Sequence, residues 1–257
     1  MPELPDLQVF SKNLNKLFKG KTLNNIEITN AKNLNVSAAK LREALEGSEL
    51  AEVKRVGKEL HFEFNNKHIL AIHLMLNGKL HTLDGSNENK FSIIALFFKG
   101  GKGLALTDFQ ALATPTLDPA ESDIPDALGV TEAYLKQKLS KTKTPVKTVL
   151  MNQKVLRGIG NAYADEILWD ARLSPFSVSN KLPEGKVQQL LKSIEEVLKD
   201  AEKQIVKIQP DIISGEIRDF LKVHLPKQKR TETGATIHQK RLAGRKTYFT
   251  DEQEMFE

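Results

Sequence analysis

The spacing of apolar positions changes twice along this chain, and the changes divide it. Residues 6–17 (DLQVFSKNLNKL) place Leu7, Val9, Phe10, Leu14 and Leu17 at helical intervals, which predicts an amphipathic helix near the chain start. From Thr22 to about Leu106 the spacing becomes that of strands. LNNIEI, ELHFEF, HILAIHLML, GKLHTL, FSIIALFF and GLALTDF are short, rich in β-branched and aromatic residues, and separated by Gly, Asn and Asp. A helix interrupts them within residues 30–47, with Ser37 as its cap and Gly47 as its stop. After residue 130 the helical spacing returns in TEAYLKQKLS, PVKTVLMN, NAYADEILWDAR and a long segment over 182–208. That last segment puts Val187, Leu190, Leu191, Ile194, Val197 and Leu198 on one face, an ordinary core stripe. Residues 207–217 break the pattern, and GATIHQKRLAGRKTYFT then reads as a β-hairpin. There is no internal repeat.

The pattern predicts an α+β chain of four parts: a β-rich N-terminal domain over 1–118, a linker over 119–130, a helical domain over 131–220 and a hairpin appendage over 221–257. The linker rests on the proline and acidic content of DPAESDIPDALG. A length of 257 residues is enough for two modest domains, and 40% hydrophobic with 28% charged residues describes an ordinary globular protein. No apolar run approaches the ~20 residues of a membrane span, and the start lacks a basic-then-apolar leader, so no membrane partner is expected. With no cysteine, thiolate chemistry and disulfides are excluded, which suits a reducing cytoplasm. The net charge of +5 matters through its distribution. Between residues 222 and 246 stand Lys222, Lys227, Lys229, Arg230, Lys240, Arg241, Arg245 and Lys246 against Glu232 alone, a focused field suited to a polyanion.

Two stretches carry candidate chemistry. The first is the start, MPELPD. Removal of Met1, common before a small second residue, leaves Pro2 with a secondary α-amine. Its pKa of roughly 8, against ~10.4 for lysine, keeps a useful fraction neutral near pH 7. Such an amine attacks an aldehyde to form an iminium, with Glu3 placed to move protons. The alternative is a frayed terminus whose prolines simply disfavour helix. The second stretch is RGIGN, residues 157–161. Gly158 and Gly160 allow positive φ and close backbone approach, and Asn161 stands where an N-cap would, so the helix start suits a phosphate. A purely structural helix–helix turn uses the same residues.

Together with Pro2-Glu3, the stretch QKVLRGIGNAYADEILWDARLSP resembles the formamidopyrimidine-DNA glycosylase/endonuclease VIII family, and VGKELHFEF, HLMLNGKL and AGRKTYF extend the likeness over essentially the whole chain. The resemblance implies an N-terminal β-sandwich flanked by helices, a helix–two-turn–helix domain, and a C-terminal hairpin finger. It implies an enzyme that excises oxidised or ring-opened bases from damaged double-stranded DNA and cuts the abasic site by β,δ-elimination. No cofactor is required, and a cytoplasmic monomer is expected, associated with the nucleoid if bacterial. By position, Pro2 resembles the Schiff-base nucleophile, Glu3 the general acid/base, and Lys58 the hairpin lysine at the catalytic site that meets DNA phosphate near the lesion. Asn161, with Gly158 and Gly160 before it, resembles the asparagine that holds a phosphate, and Arg245 the hairpin arginine that does likewise. Read singly, Lys58 is a solvated strand-end lysine and Arg245 a hairpin charge.

The sequence departs from the family in four places. The finger's four zinc cysteines correspond to Arg230, Thr233, Thr250 and Gln253, which implies a zincless hairpin held by packing alone, with His224 and His238 as surface residues. The void left by a flipped base is typically filled by a methionine and an Arg-x-Phe pair; here Leu76, Gln110 and Leu112 stand in those places. Residues 209–219 are short for a lesion-capping loop. Asp6 replaces a glutamate, a loss of one methylene. These changes predict weak 8-oxoguanine excision and weak opposite-base preference, and they keep a rival expectation in view: a non-catalytic homologue that binds damaged DNA.

Overall fold

Two carboxylates start the first helix. In the computed structural model, which describes residues 1–257, α1 (Leu4–Phe18) is capped by Glu3. The Glu3 carboxylate accepts the backbone N–H of Asp6, and the Asp6 carboxylate accepts that of Glu3 at 2.8 Å. This reciprocal box satisfies two otherwise unpaired helix-end donors. Pro5 lies in the first turn, where its missing N–H costs nothing. The prolines therefore begin a helix rather than fray the terminus, and Asp6 is a capping residue.

The chain forms two units, one of residues 1–122 with 205–216, the other of residues 123–204 with 217–257. In the first, α1 is followed by β1 (Leu23–Ile28), α2 (Ala38–Leu45), β2 (Leu50–Val56), β3 (Glu59–Phe64), β4 (Ile69–His73), β5 (Lys79–Asp84), β6 (Ser92–Phe98), β7 (Lys102–Thr107) and β8 (Thr114–Leu117). Ser37 caps α2 as expected, accepting from the Lys40 N–H, and Gly47 takes a φ of +82° after it. The strands make a β-sandwich of two antiparallel four-stranded sheets, ordered β1-β6-β7-β5 and β2-β3-β4-β8. α1 packs on β2 and β3, and α2 on β1.

Three strand expectations need correction. HILAIHLML is a strand only to His73 and then turns. The spacing missed β2 (LAEVKRV) and β8 (TPTL) altogether. Both are edge strands, where charges and proline blur the alternation that marks an inner strand.

The second unit holds α3 (Glu132–Ser140), α4 (Val146–Met151), α5 (Asn161–Asp170), most of α6 (Glu184–Ile208), and the hairpin β9 (His238–Leu242) and β10 (Arg245–Phe249). Val187, Leu190, Ile194 and Leu198 are buried on α6, while Leu191 and Val197 are half-buried. Residues 123–130, read as part of a linker, fold with this unit. Ala127 donates to the Arg157 carbonyl at 2.9 Å and Arg157 to the Pro125 carbonyl at 3.0 Å.

Candidate active site and nucleic-acid interface

Pro2 and Glu3 are both buried at the head of α1. Lys58 sits in the same unit on the two-residue turn that joins β2 to β3. Its neighbour Gly57 has a φ of +59°, and Val56 pairs with Glu59 across the turn. A glycine with positive φ in first position is what a type II′ hairpin turn requires. Arg55 connects this turn to α1. Its Nε donates to Gln8 Oε1 at 2.8 Å and its Nη1 to the Gly57 carbonyl at 3.2 Å. The lysine and the Pro-Glu pair are thus held on linked elements.

The three candidate void-filling residues lie on two loops of this unit that touch. After β4 the chain turns through Met75, with a φ of +53°. Gly78 donates to the Leu74 carbonyl at 2.8 Å, so close that a Cβ there would lie 2.3 Å from that oxygen. The turn exposes Leu76, 63% accessible despite being apolar. His73 Nδ1 accepts the Met75 N–H at 3.0 Å, which requires that nitrogen unprotonated; burial, the leading cause, pushes this histidine's pKa down. The loop after β7 is organised by Asp108, which is buried. Its carboxylate accepts the N–H groups of Gln110, Leu112 and Ala113 at 2.8–2.9 Å. Phe109 and Leu112 are exposed there. Asn77 Nδ2 donates to Gln110 Oε1 at 2.6 Å, joining the two loops.

In the second unit the two-turn loop is braced by Gln153, a residue the sequence reading passed over. Its Oε1 accepts the Gly158 N–H, and its Nε2 donates to the carbonyls of Met151 and Ile159, all at 2.9 Å. Gly158 takes a φ of +106°, whereas Gly160 does not use its freedom and is itself the N-cap of α5 with a φ of −118°. Asn161 is therefore the first residue of the helix, not its cap. Its Nδ2 donates to the Lys246 carbonyl of the hairpin at 2.9 Å, which leaves the amide's second N–H for an external acceptor.

Arg245 is exposed at the start of β10. It follows the tight turn Ala243-Gly244, whose φ values of +46° and +77° fit a type I′ hairpin. The eight basic residues of the tail are all exposed, although Lys222 pairs with Glu232 at 3.1 Å.

Hydrogen bonds, as well as packing, hold the finger, contrary to expectation. Arg230, Thr233, Thr250 and Gln253 offer neither thiolate nor imidazole, so a zinc ion does not fit these positions. Instead Glu252 Oε2 gathers Trp169 Nε1, Arg172 Nη1 and the hydroxyls of Thr233 and Thr250 at 2.9–3.3 Å. Burial works against that charge, but Thr233, Arg172 and Thr250 outweigh it and hold the carboxyl below its usual range. Gln253 is buried and joins the Thr250 N–H to the Leu173 carbonyl. Deeper in, Lys147 and Asp165 form a fully buried ion pair at 2.7 Å. Lys147 also donates to Thr247 Oγ1 at 2.8 Å, while Asp165 accepts the Tyr248 N–H at 3.0 Å and meets His224 Nδ1 at 2.7 Å. His224 is thus part of this network, and its ring meets Tyr248 edge-on. His238, as expected, stays at the surface, beside Asp251.

A sandwich with Pro-Glu at its chain start, carried with a helical unit that ends in a basic hairpin, defines a class of DNA-handling protein, and comparison with known proteins narrows it. Residues 1–114 match the formamidopyrimidine-DNA glycosylase N-terminal domain, and residues 124–210 the formamidopyrimidine-DNA glycosylase H2TH domain. A formamidopyrimidine-DNA glycosylase of Carboxydothermus hydrogenoformans is 33% identical over 201 residues, 77% of this chain and 76% of the relative. One from Lactococcus lactis subsp. cremoris is 30% identical over 272 residues, 97% of each chain. Among solved structures, the complex between Lactococcus lactis Fpg and an abasic-site-containing DNA aligns with a TM-score of 0.86 at 26% identity, covering 97% of this chain and 98% of that one. MutM in complex with carbocyclic 8-oxo-G containing DNA gives 0.87 at 27% identity, with the same coverage. The chain belongs to the formamidopyrimidine-DNA glycosylase family.

Proposed function

We propose that Pro2 is the nucleophile with which this chain, a base-excision-repair DNA glycosylase and abasic lyase acting on damaged double-stranded DNA, forms an imine at C1′ of the lesion. The observation that carries the reading is the arrangement at the head of α1. Pro2 and Glu3 are buried there, and Arg55 links the turn bearing Lys58 to that helix through Gln8. Once the base has left, the amine condenses with the abasic aldehyde. Removal of a C2′ proton then expels the 3′-phosphate, and a second elimination expels the 5′-phosphate. Glu3 moves the protons.

Lys58, Asn161 and Arg245 grip phosphates while the damaged nucleotide is turned out of the duplex. Leu76, Gln110 and Leu112 enter the space it leaves. In this reading ring-opened bases, hydantoins and abasic sites are better substrates than 8-oxoguanine. The protein acts as a monomer in the cytoplasm, at the nucleoid if bacterial.

Borohydride trapping on duplexes with a central abasic site tests the nucleophile. The chain with a mature Pro2 terminus gives a covalent adduct, and Pro2→Gly removes most of it. No adduct from the mature chain overturns the reading. Binding without cleavage across a panel of lesions would leave the non-catalytic alternative in its place.

A further inference from the structure

The segment after α6 does more than close the gap between two elements. Its residues 209–216 are fastened to the first unit. Asn13 Nδ2, on α1, donates to the carbonyls of Pro210 and Ile212, each at 2.8 Å, and the Leu80 N–H donates to Ser214 Oγ at 3.0 Å. Ile212 is buried. Gly215 then takes a φ of +91°, a conformation that turns the chain sharply. The residue that follows is Glu216, and its carboxylate is hydrogen-bonded to the α-amine of Met1. The segment thus delivers an acid to the chain start.

We infer that in the mature chain Glu216 pairs with the Pro2 amine, sets its protonation and takes its proton as it attacks; this rests on Pro2 being the nucleophile. Removing Met1 draws the amine back by about one residue spacing, ~3.8 Å, along a backbone fixed by the Glu3–Asp6 capping box. Glu216 is partly exposed, with a side chain one-third accessible, so it can follow that retreat.

A carboxylate beside an ammonium favours the charged form and raises its pKa. The step begins from the ammonium form. On attack, one of its two protons passes to Glu216 while the nitrogen lone pair bonds C1′ and the carbonyl electron pair moves to oxygen. The second N–H proton and the one on Glu216 then leave with that oxygen as water, giving the iminium. Ammonium and aldehyde thereby become iminium and water, with no external acid or base consumed.

The other titratable or charged groups on α1 and the elements packed on it are Glu3 at its cap, Asp6, Lys12 and Lys16 on α1, Glu52, Lys54 and Arg55 on β2, Lys58 on the turn, Glu59, His61 and Glu63 on β3, and Asp211 on the segment itself. All of them remain in a Glu216 variant.

The test compares the full chain, with Met1 removal verified by mass spectrometry, with Glu216→Gln and Glu216→Asp. The Pro2 amine is titrated by NMR without DNA, and trapping on abasic duplex at saturating DNA is followed against pH. In Glu216→Gln the amine titrates lower by roughly 0.5–1 pH unit, and the rising limb of the trapping profile moves down with it. Glu216→Asp lies between. Superimposable titrations of the native chain and Glu216→Gln overturn the inference. A shifted titration in a chain that traps no DNA supports the pairing and instead overturns the assignment of Pro2 as nucleophile.

Discussion

At the scale of single residues, Gln110 decides the most. The family resemblance implies an arginine at this position, a cation facing the partner base; Gln110 offers a neutral amide, and its oxygen is already engaged by Asn77. Excision rates with one lesion opposite each of the four bases should therefore differ little in the native chain. Gln110→Arg should introduce a preference for cytosine of about 5- to 150-fold, the discrimination that a good bidentate contact worth ~1–3 kcal/mol supplies. Single-turnover kinetics measure it. Fast 8-oxoguanine removal confined to a cytosine partner in the native chain would contradict the assignment. Gln110 stands out in the sequence because its side-chain chemistry differs from the arginine that the family resemblance implies there. The residue that aims it does not. Asp108 organises that loop by accepting three backbone N–H groups, and in the two-turn loop Gln153, equally unmarked, accepts the Gly158 N–H and donates to the Ile159 carbonyl. Such local side-chain-to-backbone bonds leave no trace in apolar spacing. The one available signal at Asp108 was an aspartate opening a turn, since that residue type bonds backbone groups two residues on. Asn161, whose type suggested an N-cap, is instead the first residue of the helix, because Gly160 supplies the cap.

At the scale of elements, the inner strands and long helices were legible because their apolar faces are continuous, and two of the four edge strands of the sandwich, β2 and β8, were missed for want of such a face. The fastening of the hairpin was invisible for a different reason. Lys147 in PVKTVLMN has the look of a solvated charge, yet it is 1% exposed and its partner Asp165 lies on another helix. The pair joins α4, α5 and β10 through Thr247 and the Tyr248 N–H. Removing one member of such a pair strands a buried charge, which typically costs ~3–5 kcal/mol. Lys147→Met should lie toward the lower end of that range, because Asp165 keeps the Tyr248 N–H and His224. Urea unfolding gives the loss directly. A change below about 1 kcal/mol would mean that Asp165 is carried by those two partners alone.

At the scale of the whole molecule, a net charge of +5 is modest, and its uneven placement gives it meaning. Each phosphate neutralised by a lysine or arginine releases condensed counterions, so binding weakens with salt along a slope of about −0.9 per contact in log–log form. If Lys58 and Arg245 each hold one phosphate, neutralising either should make that slope shallower by roughly one and weaken binding alike on every DNA sequence. Asn161 separates charge from contact. Its amide carries no charge, so Asn161→Ala should lower affinity while leaving the slope unchanged. Lys54 serves as the control, an exposed lysine already paired with Glu63 at 2.7 Å, whose loss should move neither quantity. Fluorescence anisotropy on an uncleavable abasic analogue, over roughly 50–200 mM salt, measures all four variants. Equal slopes for the native chain, Lys58→Ala and Arg245→Ala would remove both residues from the phosphate grip, and the basic tail would then need another partner.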